Sequence, residues 1–426
     1  MTSERSHPVM RVRDWLSMPA EFDERHRRIL LLVGLASMLV AFTNTLFTQT
    51  VAYAADEFGV TNYAQGVGSA VVRWGILISL PIVARADSRG RRPMIVLTVW
   101  AAPLVCALGA LAPNFAVLVA TQAVGRPLGL TLDIILAVMV VEEMPTDARA
   151  YATGLLAILS GVGAGVAVAS LPLADLSVSS WRWIYAVSLV WLPVAWIVSR
   201  SMPESRRFVA HRRDFAGHLR GVARSGLTKN LGRICSVVFL TNIFIATMSI
   251  FQNRFLKEAR GYSALTVALF TVATSSPASL GLVLGGRVAD NRGRRALGAT
   301  MVPAGTALLA FSFVSHGRTM WVLAIIGAVC LGLSYPAMAV YRGELFPTHQ
   351  RGLAGGIIMT SSLLGGSIGL IGAGRAVDGG MSYGEVMVWL LVFPVLASLI
   401  VWSRYPETAH MSLEEINPED AGPATA

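Results

Sequence analysis

The chain has 426 residues, of which 54% are hydrophobic and 14% charged, with a formal net charge of +10. Ordinary soluble domains carry roughly 25% charged residues and separate into units joined by polar linkers, so a large soluble protein is excluded. The positive balance by itself fits either nucleic acid or anionic lipid, and its placement along the chain decides between them.

Apolar runs, each nearly free of charge, recur at lengths of about 20 residues, enough to cross a hydrocarbon core of ~30 Å. They predict an all-α membrane protein with twelve spans at 29–51, 64–84, 94–112, 116–141, 150–174, 182–199, 234–256, 264–286, 296–315, 319–341, 352–374 and 385–403. Residues 1–28 are polar and carry no cleavable leader, so the first span is expected to be retained as an uncleaved anchor. Within that tail, VMRVRDWLSM (9–18) mixes Arg with apolar residues. It is either a membrane-surface segment or part of a disordered cytoplasmic tail. Cys106, Cys235 and Cys330 fall inside or at the ends of apolar spans, and every histidine falls in a tail or loop. No disulfide framework, metal site, cofactor loop or catalytic nucleophile–base set is expected.

With these spans, 27 of the 35 Lys and Arg residues lie on the side that carries both termini, six lie on the other side, and Arg73 and Arg126 lie within spans. Such asymmetry predicts cytoplasmic termini and a multi-pass protein of the cell membrane. The connector 200–233 alone holds nine Lys and Arg, suited to anionic lipid headgroups rather than to nucleic acid.

The sequence also repeats itself. DSRGRR (87–92) returns as DNRGRR (290–295), 203 positions on. Glu142, Pro145, Arg149 and Gly154 return as Glu344, Pro347, Arg351 and Gly356, offset by 202. Pro203-Glu204 returns as Pro406-Glu407. Three matches in one order at nearly one offset point to duplication. The expected organisation is a tail (1–28), a six-helix bundle (29–201), a basic connector (202–232), a second bundle (233–404) and a tail (405–426). An even number of spans per half makes the copies parallel, related by a pseudo-two-fold axis along the membrane normal.

These same strings resemble the major facilitator superfamily. DSRGRR and DNRGRR are similar to its D-x-x-G-R-R loops. VEEMPTDARAYATG (141–154), GELFPTHQRGLAGG (343–356), MPESRRF (202–208) and YPETAHMSLEEI (405–416) resemble the loops of its sugar-porter and metabolite:proton symporter branch. The resemblance covers the whole chain and implies a secondary transporter working by alternating access. The first D-x-x-G-R-R copy departs by carrying Val83 where the second has Gly286.

An Asp at a helix start and Arg pairs beside Glu-bearing loops favour charge-assisted bonds. The expected partners are Glu142 and Glu204 for Arg91 and Arg92, and Glu344 and Glu407 for Arg294 and Arg295. With Asp87, Arg149, Asp290 and Arg351 these residues form a candidate gate. The alternative is plain positive-inside topology with solvated loops.

Charge at bilayer depth costs at least ~2.5–3.5 kcal/mol on insertion scales. Asp133, the one acid deep in a span, is therefore the candidate proton carrier. Arg126 lies seven residues away on the same helix face, with Gln122 and Gly129 on the same stripe. Arg73 is a possible partner of Asp133, and the pair reads either as a structural ion pair or as part of the coupling site. Two Arg against one Asp favour an anionic or carboxylate-bearing substrate. The resemblance implies that the first, fourth, seventh and tenth helices line a cavity, which adds Asn44, Gln49, Asn242, Asn253 and Tyr335. It also implies an acid in the first helix and a Gln pair in the seventh for sugar transport. TNTLFTQ (43–49) and TNIFIATMSIFQN (241–253) lack them, which argues against a sugar. The fifth helix lacks the Gly-Pro pair of many exporters. GVGAG (161–165) and GGSIGLIGAG (365–374) are expected to bring helices close where the halves meet. The sequence thus predicts proton-coupled uptake of a small polar or anionic metabolite by a monomer, with proton-antiport efflux of amphipathic compounds as the alternative.

Overall fold

The computed structural model describes residues 23–145, 149–205, 228–346 and 351–409, with positions 411 and 415. Segment 9–18, most of the basic connector and the side chains of Asp87, Arg149 and Arg351 lie outside the described set.

Among the described residues, twelve helices are long and apolar enough to cross a membrane. They are α1 (Glu24–Glu57), α2 (Asn62–Ala86), α3 (Arg91–Leu111), α4 (Phe115–Val140), α5 (Tyr151–Asp175), α6 (Trp181–Ser201), α7 (Lys229–Glu258), α8 (Ala264–Arg292), α9 (Arg294–Val314), α10 (Gly317–Arg342), α11 (Ala354–Asp378) and α12 (Tyr383–Arg404). Each covers an expected span. The ends differ by a few residues because hydrogen bonding, not hydropathy, terminates a helix. Asp23 shows this: its carboxylate accepts from His26 N at 2.8 Å, and the helix starts five residues before the apolar run. Large apolar side chains such as Leu111, Trp389, Val190 and Leu280 stay exposed around the outside, as a lipid-facing belt requires.

The helices pack as two sets of six with matching internal contacts. α1 meets α5 as α7 meets α11, α3 meets α4 as α9 meets α10, and α2 meets α4 as α8 meets α10. Between the sets, α2 packs on α11, α5 on α8 and α1 on α7. The start of α1 and the end of α12 lie at one end of the assembly, called the terminal face below; the opposite end is the far face.

Two helices depart from regular hydrogen bonding near the candidate site. α2 narrows to a 3-10 turn at Gly75–Ile78. Pro127 in α4 has no N–H, so the Ala123 carbonyl loses its helical partner, and Gly75 brings the α2 backbone against that carbonyl. The Pro127 carbonyl accepts from Ser79 Oγ at 2.9 Å and Thr131 Oγ1 at 2.8 Å.

The glycine runs behave differently from expectation. Gly163 packs on Met38 of α1, inside its own bundle, and Gly161 and Gly165 face open space. Gly365 and Gly369 pack on α7, also within their bundle. Gly366 and Gly374 face α2 of the other bundle. Gly286 has nothing within 4 Å of where a Cβ would stand, so Val83 in the first copy forfeits no close packing. The close approach in that helix comes instead from Gly285, against the Leu333 carbonyl.

Candidate transport site

Arg73 and Arg126 each sit eleven residues from the far end of their helices, α2 and α4. They therefore lie at similar depth, ~16 Å in at 1.5 Å per residue. Their charges act on each other. Arg73 donates through Nη2 to Asn242 Oδ1 at 3.2 Å, and its guanidinium lies against Gly366. Beside it, Trp74 Nε1 donates to Ser367 Oγ at 2.9 Å. The Nε atoms of Arg73 and Arg126 are buried and without a hydrogen-bond partner.

The possible Arg73–Asp133 pair does not form. Among the described residues no carboxylate pairs with Arg73 or Arg126, and Asp133 has no ion-pair partner. Residue spacing along α2 and α4 left the pair open; Arg73 instead reaches across to α7.

The surroundings of α4 fix where Asp133 looks. Gly125 packs on Cys106 of α3, Gly129 on Thr43 of α1, and Ala123 and Pro127 on Gly75 of α2. At 100° per residue, Arg126 and Asp133 project between the α1 and α2 contacts, nearly opposite the exposed Val124. Asp133 is exposed in that sector, so it faces the space between the helices. Gln122, expected on the same stripe, instead turns into the bundle and donates to the Cys106 carbonyl at 3.2 Å. Asn44 stands beside Gly129, 3.3 Å from where a Cβ would be, with its Oδ1 buried and unpartnered.

A cavity of about 470 Å³ lies between α1, α7, α8, α9 and α10, lined by Gln49, Gln252, Phe255, Phe270, Thr274 and Tyr335 among others. A second, of about 290 Å³, sits between α7, α9, α10 and α12 and includes Asn242 and Tyr335. Asn253 does not line either. It donates through Nδ2 to the Gln49 backbone oxygen and Oε1, both at 2.8 Å, and so joins α7 to α1.

Further bonds between the bundles gather at the far face. Arg254 donates to Gln65 Oε1 at 2.9 Å and to the Val60 carbonyl at 3.1 Å. Lys257 pairs with Asp56. Tyr383 donates to Asn62 Oδ1 at 2.7 Å and lies 2.6 Å from Glu258 Oε2. Asp378 accepts from Asn62 N at 2.9 Å and Tyr63 N at 2.8 Å, and Asp175 accepts from Ala264 N at 2.8 Å and Leu265 N at 3.1 Å. Sequence reasoning missed all of these. One signal was available: Asp175 and Asp378 are 203 positions apart, the offset of the repeat.

At the terminal face the expected Arg–Glu partners meet, but the described pairs run within a bundle. Arg91 Nη2 donates to Glu142 Oε1 at 2.8 Å, and Arg294 pairs with Glu344 and with Asp290. Glu204 accepts from the Arg91 and Arg92 backbone amides at 2.8 and 3.2 Å; Glu407 accepts from those of Arg294 and Arg295 at 2.9 and 3.1 Å. These carboxylates cap the starts of α3 and α9. The preceding residues, Gly90 and Gly293, have φ of 106° and 93°, and a Cβ there would stand 2.6 and 2.8 Å from the capping carboxylate. The glycine of each D-x-x-G-R-R loop is thus required twice, for its backbone and for its missing side chain. Arg25 adds a bond to Glu143 at 3.0 Å and one to the Glu204 carbonyl at 3.1 Å.

The sequence model of the Major Facilitator Superfamily matches residues 33–370 and again 234–423. The chain belongs to the major facilitator superfamily. Among solved structures it is similar to a bacterial homologue of the human lysosomal transporter Spinster, in an inward-facing, unoccupied conformation, at 16% identity and a TM-score of 0.74, covering 89% of this chain and 97% of that one. It is also similar to the inward-open xylose transporter XylE from E. coli, at 17% identity and a TM-score of 0.73, covering 92% and 99%. A third is the nucleoside transporter NupG, at 13% identity and a TM-score of 0.70, covering 89% and 100%. Among curated sequences, human solute carrier family 2, facilitated glucose transporter member 7, is 26% identical over 144 residues, which is 32% of this chain and 27% of that protein. The match thus spans about a quarter of that relative's length. Family and fold make this chain a multi-pass membrane transporter, not an enzyme.

Proposed function

We propose that this superfamily transporter carries a small organic anion by alternating access, coupled to protons, with both termini in the cytoplasm of a cell-membrane monomer. One observation carries the substrate class. Two arginines share one depth inside the helices, and no carboxylate among the described residues neutralises either. An unpaired buried charge is costly, so an anion entering between the bundles gains two charge-assisted contacts that the empty protein lacks.

Asp133 supports the coupling. It shares the inward sector with Arg126, ~10 Å away along α4, and its side chain is exposed. Protonation there changes the site from net +1 to +2, which favours binding of the anion and release as a pair. A second possibility, antiport efflux of amphipathic compounds, is favoured by the aromatic lining from Phe255, Phe270 and Phe313 in the larger cavity. Direction of flux under an imposed pH gradient separates the two.

Reconstituted vesicles screened with organic acids, neutral sugars and cationic dyes test this assignment. Saturable, acid-stimulated uptake of an organic acid, with its KM raised by Arg126→Gln, is expected. Uptake of neutral sugar unaffected by Arg126→Gln overturns the anionic assignment.

A further inference from the structure

The two bundles each complete a helix in the other at the far face. α2 begins after Thr61, whose hydroxyl accepts from the third amide, Ala64 N, at 3.2 Å. The first two amides, Asn62 N and Tyr63 N, bond to separate oxygens of Asp378, at the end of α11 in the opposite bundle. α8 begins in the same way. Ser263 accepts from its third amide, Thr266 N, at 3.3 Å, and Ala264 N and Leu265 N bond to separate oxygens of Asp175, at the end of α5 in the opposite bundle.

The match is reciprocal. Thr61 and Ser263 are 202 positions apart, the amide pairs 62–63 and 264–265 are 202 apart, and the carboxylates are 203 apart. Each helix therefore satisfies its third amide from its own cap residue and its first two from the other half. A helix start carries about half a positive charge, so each carboxylate holds a charge as well as two hydrogen bonds. Both contacts break whenever the far ends of α2 and α11, or of α5 and α8, separate. The amides then return to water, and the helices themselves remain intact.

We propose that Asp175 and Asp378 are the paired positioning residues that set how strongly the transporter favours the state closed at the far face. They act through the opposing helix starts and touch no substrate. Gln49–Asn253, Arg254 and Lys257 add bonds at the same face, but those run from the second bundle to the first without an equivalent in the other direction. The two aspartates form the symmetric element, and Asp378 adds one bond of its own, accepting from Asn62 Nδ2 at 3.0 Å.

The proposal rests on the alternating-access assignment above, and the test separates the two. Spin labels are placed at Val178→Cys and Arg318→Cys, exposed far-face positions of the two bundles. Cys106, Cys235 and Cys330 are replaced by Ala, the protein is set in nanodiscs, and inter-label distances are measured by pulsed dipolar spectroscopy. Wild-type background should be dominated by a short distance. Asp175→Ala and Asp378→Ala should each raise the long-to-short ratio by roughly three- to thirtyfold, the range spanned by loss of a helix cap, and the double variant by more than either. Asp378→Asn keeps one acceptor oxygen, should move the ratio the same way by less, and serves if the alanine variants do not fold. A purely static capping role lowers the melting temperature and leaves the distances in place. A wild-type distribution that responds to pH or to added organic acid but not to the double or the Asn variant overturns the proposal alone. A single distance that nothing moves, in wild type and variants alike, overturns alternating access and the proposal with it.

Discussion

Arg73 and Asn242 meet across the bundle interface at 3.2 Å, a guanidinium from α2 on the carboxamide oxygen of α7. The acceptor is neutral, so the bond orients the arginine without cancelling its charge. Arg73 therefore links the carried charge to the relative position of the bundles.

Replacing either arginine should cost binding, not folding. Arg73→Gln and Arg126→Gln are each expected to raise the KM for an organic anion by about tenfold or more, in line with ~1.5–3 kcal/mol for a hydrogen bond to a charged group. Radiolabelled uptake in vesicles checks this. Melting temperature should hold or rise, because an uncompensated charge is removed. Arg126→Lys should rescue only in part, since an ammonium lacks the fork that grips a carboxylate.

Asp133→Asn should separate exchange from accumulation. Counterflow of the anion continues, because the arginines are untouched. Uphill uptake driven by a pH gradient is lost. Retained acid stimulation in the variant would remove Asp133 as the coupling group.

The Glu204 and Glu407 caps should matter for stability at the terminal face. Glu204→Ala and Glu407→Ala each strip the first amides of a helix, an effect of ~0.5–2 kcal/mol, and should lower the melting temperature in detergent. Gly90→Ala and Gly293→Ala should be at least as damaging. An added methyl both meets the carboxylate and resists φ of 106° or 93°. An increase in melting temperature for either glycine variant would contradict the geometry.

Gly66 and Gly374 let α2 and α11 touch through their backbones, against the Leu370 and Asn62 carbonyls. Leu at either position overfills that contact, at a cost of ~1–3 kcal/mol. The variants should insert in the membrane, show far-face opening by label distance, and transport slowly.

Much of this is legible in the sequence. Hydropathy marked each span because a continuous apolar run of about 20 residues can satisfy its backbone in lipid only as a helix, and the repeat offset marked the duplication because the loop motifs carry charge that must be placed. The Arg91–Glu142 and Arg294–Glu344 partners were readable for the same reason. Depth and facing were not. Arg73 and Asp133 looked like partners from their depth within two helices, yet a long side chain answers to the neighbour it meets, and Arg73 met α7. Gln122 shared a stripe with Arg126 by periodicity, but its carboxamide found the Cys106 carbonyl of the neighbouring α3. The far-face aspartates sat at helix ends, where charge looks like ordinary topology until the opposing helix start is seen.

The Glu204 and Glu407 clasps have one more consequence. Each fastens the end of a bundle's last helix to the start of its third, so each set of six is closed on itself before the chain moves on. Such a closed set needs no covalent tether to its neighbour to keep its internal order. A chain cut between 205 and 228 and produced as two fragments is therefore expected to keep both clasps and every far-face contact available for reassembly, which co-purification of the fragments checks.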